Sequence, residues 1–154
     1  MLPRGHILLG FAFSLILYLV FPQISIICLF LVFLSSFLID FDHYMVVVYK
    51  TQNLSLLNAF QYYKKQEIQV RKDLKKGIRK KYDFQIFHTV EFHLLVLLLS
   101  FFWEGFLCIF LGMLFHSITD FIYMYHEDVL YQREFFFLRW FYRKLDKTSK
   151  TLCA

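Results

Sequence analysis

The chain of 154 residues is short of proline, glycine and cysteine, with two, five and three of them. So little proline and glycine excludes collagen-like and low-complexity chains. Three cysteines, none in a C-x-x-C pair, give no thiolate zinc site and no disulfide framework. Cys28 and Cys108 lie inside apolar blocks and read as small core residues. Charged residues make up only 19% of the chain and are absent from Ile7 to Ile39. What is abundant is apolar surface: 58% of the residues are hydrophobic, 21 are Phe, and the mean hydropathy is +0.50. A soluble domain is roughly 45–50% apolar. The excess gathers in long blocks almost free of charge, which excludes an ordinary soluble enzyme and a disordered tail. It points to an all-α, multi-pass membrane protein.

The Ile7–Ile39 stretch has 33 residues. As one helix it would be about 50 Å long, against a hydrocarbon core of ~30 Å. Pro22 and Gln23 sit near its middle, and proline disfavours an uninterrupted helix there. The stretch therefore reads as two short helices, about 6–21 and 24–40, folded as a hairpin. A signal peptide is the alternative for the first, but no small-x-small cleavage site follows it. A third span is expected at about 87–103 and a fourth at 105–125, turning at Glu104 and Gly105. The four helices make a membrane domain over 1–125, with a polar segment, 44–85, between the hairpins. The tail, 126–154, mixes Phe135, Phe136, Phe137, Trp140 and Phe141 with Arg and Lys.

Four spans place the N-terminus, the middle segment and the tail on one side. All 17 Lys and Arg fall there: Arg4, ten from Lys50 to Lys81, and six from Arg133 to Lys150. The far side has none. That is the positive-inside pattern, so both termini are expected in the cytoplasm and the chain in the cell (inner or cytoplasmic) membrane. The basic and aromatic flanks are expected to lie amphipathically on the inner leaflet, against anionic headgroups. Nucleic-acid binding would also suit basic residues interleaved with aromatics, but membrane adjacency explains them with fewer assumptions.

Ionisable side chains within spans mark function by default. His6 opens the first helix, Asp40, Asp42 and His43 close the second, His88, Glu91 and His93 open the third, and His116 and Asp120 lie late in the fourth. Every one falls in the cytoplasmic half. His116 and Asp120, four apart, share a helix face. His88 and His93, five apart, point about 140° away from each other on a regular helix. Both reach one site only if His88 precedes the helix proper. Taken singly, interfacial histidines such as His43 and His126 are often mere hydrogen-bonded residues. Jointly, independent solvated groups need not all fall in one leaflet.

Histidine nitrogen with carboxylate oxygen suits Zn, Mn or Fe. The expected ligands are His6, Asp40, Asp42, His88, His93, His116 and Asp120. They are too many for one catalytic ion and enough for two, a common arrangement for phosphoester hydrolysis. Glu91 and His43 are the candidates for general base or acid. A divalent-metal-dependent hydrolase acting on a lipid-like phosphoester is the leading expectation. A metal-ion or proton translocator would need polar groups through the full membrane depth, and the outer halves lack them. A non-catalytic membrane scaffold would tolerate loss of the cluster.

Four spacings recur in order. His6 and Gly10 form H-x-x-x-G, Asp40, Asp42 and His43 form D-x-D-H, His88 and His93 are five apart, and Gly112, His116 and Asp120 form G-x-x-x-H-x-x-x-D. In this the chain resembles the family of inner-membrane metal-dependent hydrolases of the LexA-binding, SOS-induced type. That family shows H-x-x-x-G, P-D-x-D-H, H-R-x-x-T-H-S and G-x-x-x-H-x-x-x-D. Ile39 stands in place of the proline of the second motif. The third keeps only its two histidines, which opens a ligand role for Glu91. The resemblance runs from residue 6 to 120 and implies a metal-dependent hydrolase.

Overall fold

The computed structural model describes residues 3–81 and 83–152, with side chains over 5–81 and 83–146. Among them the regular structure is entirely helical: α1 (Pro3–Val20), α2 (Ile26–Leu38), α3 (Phe41–Thr51), α4 (Leu56–Lys75), α5 (Val90–Leu99), α6 (Gly105–His126), a 3-10 turn at Leu130–Gln132, and α7 (Phe137–Leu152). The break after α1 falls at the expected proline. Ser25 caps α2, its side chain accepting from the Cys28 N–H. Thr89 caps α5 in the same way, accepting from the Phe92 N–H.

Two of the four expected spans are long and apolar enough to cross a membrane. They are Gly105–His126 and Ile26–Thr51, the latter being α2 and α3 taken together across a turn at 39–40. The other two, Gly5–Val20 and Val90–Leu99, are apolar but shorter. The second helix thus differs from the expected 24–40. It breaks beside Asp40, and the apolar run Met45–Val48, placed by sequence in the polar segment, continues it as α3. α5 has only ten residues, about 15 Å of rise. The chain leaves it through Phe101 and Phe102, which are 85% and 87% exposed.

α2 and α6 are the central pair, and they run parallel. Cys28 lies beside Cys108, Val32 beside Gly112, and Ser36 beside His116, always at a separation of 80 residues. Small residues allow the approach. A Cβ on Gly112 would overlap Ser35 Oγ and the Val32 carbonyl oxygen, and one on Gly10 of α1 would overlap Ser36 Oγ. The serine hydroxyls turn back onto their own helix, Ser35 to Leu31 O at 2.7 Å and Ser36 to Phe33 O at 2.7 Å.

Cys28 and Cys108 are disulfide-bonded, which corrects the reading of them as small core residues. Eighty residues apart, they carry no local spacing signal; only the parallel pairing of α2 with α6 brings them together.

The interior is unusually polar. His6, Asp42, His88, Thr89, His116 and Asp120 are buried, while Leu8, Leu19, Ile26, Ile27 and Ile122 are 60% exposed or more. The apolar excess faces outward, the reverse of a water-soluble domain.

Candidate metal centre

Two overlapping groups of metal-ligand atoms lie at the end of the bundle where α1, α5 and α7 begin and α2 and α6 deliver Asp40 and Asp120. Asp40, His88, His116 and Asp120 form the first; Asp42, His43 and His88 form the second. Within each, one ligand atom per residue lies within 4.8 Å of all the others. His88 belongs to both.

The side chains come from three regions of the chain. The turn between α2 and α3 brings Asp40, Asp42 and His43 together at a helix junction. His88 lies one residue before the α5 cap, outside the regular helix. α6 supplies His116 and Asp120, one turn apart, with His116 Nε2 at 3.5 Å from Asp120 Oδ2. Gly10 and Gly112 each stand one turn from a histidine of their own helix, His6 and His116. Their missing side chains let α1 and α6 close on the serines of α2, which sets those histidines over Asp40.

Hydrogen bonds fix the imidazoles. His116 Nδ1 donates to the Ser36 carbonyl oxygen at 2.8 Å. His88 Nδ1 donates to Asp42 Oδ2 at 3.1 Å, which also accepts the Phe87 N–H at 3.0 Å. Each ring thereby turns its Nε2 toward the other. Those two nitrogens are 3.2 Å apart. Asp40 Oδ1 lies 3.5 Å from His88 Nε2 and 3.4 Å from His116 Nε2. Two imidazole nitrogens and a carboxylate oxygen converge on one buried point, a set of ligand atoms that suits a cation. Asp42 Oδ1, also buried, has no hydrogen-bond partner among the described residues.

The remaining expected ligands sit around this point. His6 stacks on His116 with ring centroids 4.0 Å apart, and its Nε2 is 3.1 Å from Asp120 Oδ1. His43 Nε2 is 3.5 Å from Asp40 Oδ1, and its side chain is 26% exposed, so it borders the site. His93 stands outside both groups: its Nδ1 meets Thr89 O at 2.9 Å and its Nε2 meets Ser117 Oγ at 3.0 Å. Glu91 also stands outside. Its two oxygens accept the Phe137 and Leu138 N–H groups at 2.9 and 3.2 Å, capping α7.

Several contributors were not legible as site residues. Arg133, counted by sequence with the basic tail, turns inward, its side chain 9% exposed, and donates to Asp120 Oδ2 at 2.7 Å. The segment carrying it is held against α5, the Val90 N–H bonding Phe135 O at 2.9 Å. Tyr63 of α4 donates to the His43 carbonyl oxygen at 2.9 Å, and burial raises its pKa, keeping that hydroxyl protonated. Gln85 Nε2 lies 3.3 Å from His43 Nδ1. Their signal is contact across long sequence separations, which no local spacing carries.

Fold and site thus define an all-helical protein with apolar outer faces and a buried His/Asp cluster able to hold a metal ion. Compared with known families, curated proteins and solved structures, the chain matches none.

Proposed function

We propose that this is a four-span membrane protein with a divalent-metal-dependent hydrolase site at its cytoplasmic face, acting on a lipid-like phosphoester. The observation that carries the metal is the convergence of His88 Nε2, His116 Nε2 and Asp40 Oδ1, with both Nδ1 atoms already committed. Zn or Mn suits such a mixed nitrogen and oxygen set. The two overlapping groups accommodate one ion or two.

Four spans are supported by the parallel course of α2 and α6. Two parallel spanning helices need a crossing between them, and α5 with the turn after it is the apolar segment available. Orientation is supported from both ends. The 17 basic residues accompany the site, and the disulfide sits near the opposite ends of α2 and α6. Disulfides persist in oxidising compartments and basic residues stay inside.

When bound, the cation polarises a phosphoryl oxygen and lowers the pKa of a coordinated water. The side chains supply the rest. Asp120 holds Arg133 beside the cluster, where its guanidinium can meet a second phosphoryl oxygen. His43, at the rim, takes a proton from the attacking water as the new O–P bond forms, and the alcohol oxygen takes its proton from solvent as its bond to phosphorus breaks. The products are the free alcohol and phosphate.

The test is metal content by elemental mass spectrometry on detergent-purified protein, with the Asp40→Ala/His116→Ala double variant beside it. One or two equivalents of Zn, Mn or Fe, lost in the variant, support the reading and direct a phosphoester screen. Metal-free protein after preparation in metal-replete medium overturns it.

A further inference from the structure

An open trough of about 420 Å³ runs between α5 and α6, a size typical of ligand clefts, roughly 300–1,000 Å³. Its walls are apolar: Leu94, Phe110, Leu114, Ile118 and Phe121. From Phe110 to Phe121 it follows about 16 Å of helix rise. Its polar lining is limited to His88, His93, Ser117 and Arg133. His88 is shared by both ligand groups, and Arg133 is bound to Asp120. The trough therefore joins the metal centre to a long, mostly apolar surface.

From this we infer that the trough seats the hydrocarbon chain of a phosphate-bearing lipid, with the phosphate at Arg133, beside the metal centre. The assignment rests on the hydrolase reading for what happens to the phosphate, but the seating is a separate matter. A small polar metabolite would leave the apolar walls unused, and a neutral lipid would make no use of Arg133, which lines the trough and has donors beyond the one on Asp120. Only an anionic head on an apolar chain matches both ends. Ser117 and His93, joined at 3.0 Å, lie in the lining and satisfy each other.

Photo-cross-linking tests this on the full chain in phosphatidylcholine nanodiscs. Two probes carry the same diazirine-bearing acyl chain: phosphatidic acid, and diacylglycerol, which lacks the phosphate. Phosphatidic acid is expected to label peptides containing Leu94, Leu114 and Ile118 roughly tenfold above diacylglycerol, the scale of one charge-assisted hydrogen bond. Arg133→Gln should bring the two probes level. Leu114→Trp fills the trough and should cut phosphatidic acid labelling to the diacylglycerol level while bound metal stays at the wild-type amount. Ile118→Trp, about half exposed (49%), does the same from the rim without entering the interior. Equal labelling by both probes, or labelling of the exposed Leu8 and Leu19 of α1 as strong as that of the trough, overturns the assignment. Metal-loaded protein without trough labelling sinks the trough alone. Trough labelling of protein that never holds metal supports the trough and sinks the hydrolase reading.

Discussion

His88 Nε2 and His116 Nε2 face each other at 3.2 Å, each ring committed through its other nitrogen. The other nitrogen of each ring fixes its orientation, so both Nε2 atoms are aimed where a shared cation would sit. Because His88 belongs to both ligand groups and His43 only to the second, their variants should separate. His88→Ala is expected to abolish metal binding altogether. His43→Ala should keep the ion held by Asp40, His88, His116 and Asp120. Elemental analysis of the two proteins, prepared in parallel, distinguishes them; equal retention in both would contradict the shared role of His88.

The glycines one turn from His6 and His116 make a second prediction. Gly112→Val places a branched side chain where Ser35 Oγ and the Val32 carbonyl oxygen already stand. Neither helix can yield without parting α2 from α6, an overpacking cost of typically 1–3 kcal/mol. Metal should be lost with the packing, although Gly112 offers no ligand atom. Gly77, at a positive φ of 69° with open space around its Cβ position, is the contrast. Gly77→Ala should lower the melting temperature slightly and leave metal content unchanged.

The site was legible in the sequence to the extent that helical spacing encodes it. His116 and Asp120 were predicted to share a face, and they lie within 3.5 Å. His88 and His93 were expected to reach one site only if His88 preceded the helix; it does precede it, but His93 still stands outside the cluster. Glu91 shows where spacing fails. Residues three apart share a face only inside a regular helix, and His88, three before Glu91, lies ahead of one. Freed from that face, the Glu91 carboxylate meets the backbone of α7. Arg133 and the disulfide were not legible because both depend on which helices pack together. The break beside Asp40 is likewise tertiary: Ile39 is an ordinary helix former by sequence, and its burial against Val96 and Met113 accompanies the turn.

Glu91→Ala should therefore act on the tail. It removes the acceptor of two N–H groups at the α7 start, a loss of about 1 kcal/mol by comparison with helix caps. The Phe84 and Trp140 rings, stacked at 4.2 Å, and Glu134 with Arg143 at 3.1 Å retain part of the docking. The expected outcome is faster proteolysis of the C-terminal helix with unchanged bound metal. Loss of metal in Glu91→Ala with the tail still protected would instead restore Glu91 as a ligand.

The disulfide makes the last prediction and tests orientation at the same time. Of the three cysteines, two are bonded, so denatured but unreduced protein should react with one equivalent of maleimide, and reduced protein with three. The bond should fail to form in cells that lack the machinery for oxidising exported proteins, because its end of α2 and α6 would then meet no oxidant. Cys28→Ser removes a constraint on an 80-residue loop, worth about 4 kcal/mol in the chain-entropy account. Embedded helices already restrict that loop, so the measured loss should be smaller than this. Three reactive thiols in unreduced protein from oxidising cells would remove both the bond and the support it gives to the orientation. One reactive thiol, with the lysines on the opposite face shielded from a membrane-impermeant amine reagent in intact cells, would leave the basic end inside.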